Sequence, residues 1–281
     1  MPEIWFPNLG IEIAHLDRVA FTLLGKPVYW YGVFIGTGVL LGVLMAMKEA
    51  KRTGQNPEIY LDFVIYALIA AIIGARAYYV LFSWDFYSAH PEKIFAIREG
   101  GLAIYGGIIG AVLTAIVYCK KKKVNFWLLA DTTVPCLAFG QVLGRWGNFF
   151  NREAFGGFTE GLFAMRYQLS QVRMGDVSAD TLEKVMTFGG VEYIQVHPTF
   201  LYESMWNLCL FLLLIYIRKY KKKFDGQICG LYFFGYALGR VWIEGLRTDQ
   251  LQIGGLAVSQ LLSAALIVVS AGFLIWKGRK T

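Results

Sequence analysis

Residues 144–156 read GRWGNFFNREAFG, so Arg145, Asn148, Asn151, Arg152 and Glu153 follow directly on an apolar run. Arginines beside amide and carboxylate side chains are groups that handle an anion. A guanidinium is always charged, and its planar fork matches phosphate oxygens two at a time. Gln141, Arg145 and Asn148 are spaced 4 and 3, which is one helical face. A second such face is formed by Tyr236, Arg240, Glu244 and Arg247, spaced 4, 4 and 3. Two arginines aimed into one cavity repel each other unless something anionic lies between them. Glu153, Glu203 and Glu244 are internal candidates, and a substrate phosphate is the external one.

The elements that must position these groups are membrane helices. The 281 residues are 56% hydrophobic and only 17% charged, where a soluble domain carries about a quarter charged residues. Seven stretches are apolar over the roughly 20 residues that a bilayer crossing takes. They lie near 28–47, 60–82, 102–119, 126–144, 198–217, 227–246 and 256–276. The runs are continuous and do not alternate, which excludes a barrel. The predicted fold is all-α: one polytopic transmembrane bundle over residues 1–281. A small cap is expected at residues 150–197, between spans four and five.

The net charge of +7 does not point to nucleic acid, because of where the charge sits. Lys48, Lys51 and Arg52 follow span one, Lys120 to Lys123 follow span three, Arg218 to Lys223 follow span five, and Lys277, Arg279 and Lys280 follow span seven. These patches hold 15 of the 27 basic residues. With seven crossings they share one side. The positive-inside rule then puts the N-terminus outside and the C-terminus in the cytoplasm. The first 25 residues lack a basic n-region and do not read as a cleavable signal peptide. They are expected to form an interfacial arm, with Trp5 and Phe6 at headgroup level. Cys119, Cys136, Cys209 and Cys229 fall in or beside spans with no C-x-x-C pair, and read as packing residues.

Ionisable residues inside a membrane are functional candidates by default. A rise of about 1.5 Å per residue puts Arg76, Arg145, Glu203, Arg240 and Glu244 at similar depth in the outer half. Tyr31 and Tyr105 open spans one and three from the same side. Asp62 and Asp131 lie in the inner third, where lysines can pair with them. His15 and His90 sit in outer loops without an evident partner. Small residues four apart occur at Gly32/Gly36, Gly106/Gly110, Gly140/Gly144 and Gly235/Gly239, a spacing that lets helices approach closely.

With those residues in view, the sequence resembles the bacterial phosphatidylglycerol–prolipoprotein diacylglyceryl transferases over nearly its whole length. The motifs are VYWYG at 28–32, GGLAIYGG at 100–107, GRWGNFFNREAFG at 144–156, HPTFLYE at 197–203 and GYALGRVWIEGLRTD at 235–249. The resemblance implies an integral enzyme of the bacterial cell membrane with its active site toward the outer leaflet. Its substrates would be phosphatidylglycerol and the signal peptide of a prolipoprotein bearing a lipobox cysteine. It would join the diacylglyceryl group to that thiol and release glycerol phosphate. Arg145 and Arg240 match the family's phosphate-binding arginines, and Asn148, Glu153 and Gly156 fall on the same signature. Tyr31 and Tyr236 match family tyrosines. His197, Glu203, Glu244 and Arg247 lie in the matching motifs and are expected at the substrate.

One departure concerns the base. Some family members carry a histidine where this chain has Tyr105, and a phenol with a pKa near 10 is a poor base at neutral pH. Tyr105, Glu153 and His197 all stay open for that role. The reaction is displacement at a saturated carbon, so it needs a thiolate and a stabilised leaving phosphate. No metal-ligand cluster is evident in the sequence, and the chemistry needs no cofactor. A flippase or transporter also needs intramembrane arginines, but it predicts them at both sides of the membrane. A lipid-binding scaffold would tolerate loss of Asn148 and Glu153.

Overall fold

The computed structural model describes residues 1–97, 100–248, 252–253 and 256–280. Four strands open the chain: β1 (Ile4–Phe6), β2 (Ile11–Ile13), β3 (Val19–Leu23) and β4 (Lys26–Tyr29). The helices α1 (Trp30–Arg52), α2 (Glu58–Phe82), α3 (Trp84–Ala89), α4 (Ile104–Lys122) and α5 (Phe126–Asn151) follow. Next come β5 (Met165–Gln168), α6 (Ala179–Glu183), β6 (Met186–Phe188) and β7 (Val191–Val196). The chain continues through α7 (Thr199–Tyr220), α8 (Gln227–Glu244), β8 (Gln252–Ile253), β9 (Leu256–Ala257) and α9 (Val258–Gly278).

Each of the seven expected spans contains a long helix, because in lipid a helix satisfies its own backbone. Six of them, α1, α2, α4, α5, α7 and α9, are long and apolar enough to cross a membrane. The remaining one, α8, has 18 residues and carries Arg240 and Glu244 in its last two turns. Two compact units divide the chain: residues 1–42 with 134–281, and residues 43–133.

In the second unit, α2 and α4 pack backbone to backbone. A Cβ placed on Gly74 would overlap Gly106 O, one on Gly106 would overlap Gly74 O, and one on Gly110 would overlap Ala70 O. Ala103 N–H donates to Ala75 O (3.1 Å) at one end. Tyr118 Oη donates to Ile59 O (3.0 Å) at the other, where Asp62 pairs with Lys122 (3.7 Å). In the first unit, α8 packs against both α7 and α9. There Gly235 and Gly239 make room for Leu210 and Trp206 of α7, and Trp206 Nε1 donates to Gly235 O (2.9 Å). Gly32 and Gly36 do not follow the pattern, since a Cβ on either meets open space.

The expectation of an all-α fold is corrected in the first unit. A five-stranded antiparallel sheet, in the order β2-β1-β5-β7-β6, takes three of its strands, β5, β6 and β7, from the segment expected to be the cap. The N-terminal arm belongs to this sheet: Ile4 pairs with Tyr167 and Trp5 with Arg166. Ile4 and Phe6 are buried against Phe149 of α5, Phe200 of α7 and Met165, Tyr167, Ile194 and Val196 of the sheet. Trp5 faces away from that core, under the Arg166 guanidinium (4.4 Å) and edge-on to Phe188 (5.4 Å). Apolar side chains at alternate positions need a surface to cover, and the ends of α5 and α7 supply it.

Replacing Gly106 with Val must push α2 and α4 apart or strain both backbones. Overpacking of this kind costs about 1–3 kcal/mol. Gly106→Val is expected to lower the melting temperature in detergent, whereas Gly36→Ala leaves it unchanged. Equal melting temperatures for Gly106→Val and wild type would show that the crossing is not tight.

Candidate active site

The polar residues of α5, α7 and α8 meet in the first unit. Glu203, in the first turns of α7, is 4% exposed. Its Oε2 lies 2.5 Å from Arg145 Nη2, and its Oε1 lies 3.0 Å from Arg240 Nη1 and 3.7 Å from Arg247 Nη1. Arg240 Nη2 also contacts Glu244 Oε2 (2.5 Å), one turn along α8. Three guanidinium groups from two helices and the segment after α8 thus converge on one carboxylate. A buried carboxylate is tolerable only with such partners.

A second chain of bonds leads from Arg145 into the loop after α5. Arg145 Nη1 donates to Asn148 Oδ1 (3.3 Å), and Asn148 Nδ2 donates to Glu153 Oε1 (2.9 Å). Asn151 Nδ2 reaches the same Oε1 (3.2 Å). The helix brings Arg145 and Asn148 onto one face, and the turn at residues 152–154 folds Glu153 back toward them. Arg152 and Ala154 there both have φ of 55°.

Gly156 is fixed by close approach. Its N–H donates to His197 O (3.0 Å), and Gly157 N–H donates to Leu246 O (2.9 Å). A Cβ on Gly156 would lie 2.6 Å from Leu246 O and 2.8 Å from His197 Cβ. Gly156 therefore joins three segments of the site: the loop after α5, the start of α7 and the end of α8. His197 Nδ1 lies 3.4 Å from Tyr202 Oη. Burial lowers its pKa below the usual value, which favours the uncharged ring. Tyr31 packs against Gly147, whose added Cβ would lie 2.6 Å from the Tyr31 ring. Tyr236 stacks on Tyr232 (5.9 Å between ring centroids) and lines a small cavity with Glu203, Asn207 and Arg240.

Two expected members belong to the second unit. Tyr105, in the first turn of α4, belongs to the second unit and is partly exposed. Arg76, also in that unit, does not offer a vacant fork. It donates to Lys93 O (2.6 Å), Ile94 O (2.8 Å), Gly100 O (2.8 Å) and Gly101 O (2.8 Å), and so holds the segment that leads into α4. Asp249, the last residue of the fifth motif, lies outside the described residues. The histidines read as lacking a partner have one: His15 Nδ1 lies 2.9 Å from Glu3 Oε1, and His90 Nδ1 lies 3.5 Å from Glu92 Oε1.

Sequence reasoning missed two residues. Asn207, one turn along α7 from Glu203, is 3% exposed, and its Oδ1 has no partner among the described residues. Its spacing of four from Glu203 was the available signal. Glu3 is the other: it bonds Arg152, a neighbour of Glu153, from 149 residues away. No local pattern marks it.

Long apolar helices combined with a buried arginine–carboxylate cluster define a multi-pass membrane protein with an arginine-lined polar site. The family model described as prolipoprotein diacylglyceryl transferase matches residues 18–276. A Bacillus cytotoxicus protein named phosphatidylglycerol–prolipoprotein diacylglyceryl transferase is 45% identical over 275 residues, covering 96% of this chain and 95% of its own length. Proteins of the same name from Finegoldia magna and Bacillus mycoides are 47% and 44% identical, covering 90% and 94% of this chain and 92% and 93% of their own. The chain belongs to the prolipoprotein diacylglyceryl transferase family.

Removing the shared carboxylate leaves three guanidinium groups facing one another. Breaking a buried pair by deleting one partner costs about 3–5 kcal/mol. Glu203→Ala is therefore expected to lose a large part of the folded state's stability, read as a fall in melting temperature in detergent. A variant as stable as wild type would mean that the arginines do not depend on Glu203.

Proposed function

We propose that this protein transfers the diacylglyceryl group of phosphatidylglycerol to the lipobox cysteine of a prolipoprotein, releasing glycerol phosphate. The observation that carries the reading is the meeting of Arg145 and Arg240 at Glu203. Their side chains are 22% and 18% exposed while the carboxylates of Glu203 and Glu244 are only 5% exposed. Each arginine thus keeps some accessible surface beside carboxyl side chains that are nearly buried. The relatives carry both substrates in their names.

The chemistry follows from that arrangement. The thiolate sulfur attacks the glyceryl carbon that bears the phosphate. A C–S bond forms as the C–O bond to phosphate breaks, and the electron pair leaves on the phosphate oxygen. Arg145 and Arg240 stabilise that developing charge in a site of low dielectric, where such stabilisation is largest. Tyr31, Tyr236, Gly156 and Arg247 shape the headgroup site. We assign the thiol's proton to Glu153, whose carboxylate is held by two amide side chains on one oxygen. His197 and Tyr105 are the alternative bases.

The proposed topology has seven crossings, with α8 as the sixth. Basic residues end α1, α4, α7 and α9, which share a side under that count. The N-terminus is then outside and the C-terminus cytoplasmic. The ends of α5 and α8 and the start of α7 face outward, which puts the cluster toward the outer leaflet and residues 150–197 outside as a cap. One polytopic domain comprises the whole chain.

The purified protein in micelles, given phosphatidylglycerol and a lipobox peptide, is expected to yield a thioether-linked diacylglyceryl peptide and glycerol phosphate. Lipid translocation without that product would make it a flippase. Arg145→Ala is expected to abolish turnover while the protein remains folded, and wild-type rates would remove its phosphate role.

Loss of a general base costs about 10²–10⁴-fold in rate. Glu153→Gln is expected to lose kcat on that scale and to regain rate as pH approaches the thiol pKa. Wild-type kcat for Glu153→Gln would pass the role to His197 or Tyr105, tested by His197→Asn and Tyr105→Phe.

A further inference from the structure

The turn that presents Glu153 is unusual for its residue types. Arg152 and Ala154 flank Glu153, and both occupy the left-handed region that non-glycine residues rarely adopt. Such a conformation persists only when its surroundings over-determine it. On one side Thr199 Oγ1 donates to Ala154 O, and Phe155 is buried in the core under the sheet. On the other, the Arg152 side chain is 5% exposed and reaches away from the site. Its Nη2 donates to Glu3 Oε2 (2.6 Å) and to Leu16 O (2.7 Å).

Glu3 is itself built in. Its N–H donates to Ile13 O (2.9 Å), and Gln168 N–H donates to its carbonyl (3.4 Å), which fixes it at the head of β1. Leu16 N–H donates to Oε2 (2.8 Å), and His15 Nδ1 lies 2.9 Å from Oε1. Burial opposes the carboxylate's charge. The bonds from Leu16, His15 and Gln171 and the charge of Arg152 outweigh it and lower the pKa to about 2, so the group is ionised throughout the working range. A chain of contacts therefore runs from β1 through Glu3 and Arg152 to the backbone of Glu153, and on through Asn148 to Arg145.

We propose that Glu3 is a positioning residue for the transfer reaction: by anchoring Arg152 it holds the left-handed turn that aims Glu153 at Asn148 and Asn151. The inference rests on the proposed transferase function. Glu3 touches no substrate. It sets where Glu153 and, through Asn148, Arg145 stand when the thiol and the lipid arrive. A slight misplacement of such groups lowers turnover without lowering affinity for the lipid.

The test uses the full-length protein in the transfer assay, with kcat and KM for phosphatidylglycerol measured separately. Glu3→Gln and Arg152→Lys each weaken the anchor while keeping side-chain size similar. Both are expected to lower kcat about tenfold with little change in KM, in a protein that still melts cooperatively above the assay temperature though at a lower melting temperature than wild type. Combining Glu3→Gln with Glu153→Gln is expected to cost no more than Glu153→Gln alone, because the first change acts through the second residue. Wild-type kcat in both single variants, or losses that multiply in the double variant, overturns the positioning role. So does a collapse of the melting transition in both variants, which would make the anchor structural. A wild-type protein that forms no product overturns the proposed function and this role with it, a result distinct from the others.

Discussion

Everything in the first unit depends on one carboxylate that three arginines share. Glu203 is buried, and its two oxygens take Arg145 from α5, Arg240 from α8 and Arg247 from the segment beyond. Without it, guanidinium groups carried on separate elements would push those elements apart in a medium of low dielectric. With it, they are drawn to one point. The Glu203 side chain is more buried than those of Arg145 and Arg240. The same contact thus serves as a helix tie and, in the proposed reaction, as the preorganised electrostatic site for the departing phosphate.

The elements around it solve a packing problem that lipid sets. Between transmembrane helices there is little hydrophobic gain, so close contact relies on small residues and a few polar bonds. Gly235 and Gly239 let α7 come close enough to α8 for Trp206 to bond a backbone carbonyl of α8, and the same approach brings Glu203 within reach of Arg240. The sheet obeys different physics. It covers Phe149 and Phe200 at the helix ends with alternating apolar side chains. In doing so it locks the loop that carries Glu153 and Gly156.

What could be read from the sequence divides along the same line. The long helices were legible because a membrane demands some twenty apolar residues in succession. The Arg145–Glu203–Arg240 meeting was legible because a helical repeat put the polar residues of each span on one face at matching heights. The sheet was not: its strands are three to six residues long, and β1 pairs with a strand about 160 positions away. The bonds of Arg76 were not legible for a related reason. Its partners are backbone carbonyls, which every residue has, so nothing in the residue types announces that its fork is already filled. Phe6 looked like a membrane-surface residue because aromatic composition alone does not distinguish a headgroup layer from the core of a small sheet.

The pairing of β1 with β5 also imposes a schedule on biosynthesis. Residues 4–6 leave the ribosome well before their partner strand at residues 165–168, which appears only after α1 to α5 have been made. During that interval the first strand has only its short hairpin neighbour β2, and Ile4 and Phe6 have no core to enter. The turn after α5 likewise emerges before it can be locked from both sides. Completion of this site is therefore a late event, decided when the two distant strands close on each other across inserted helices.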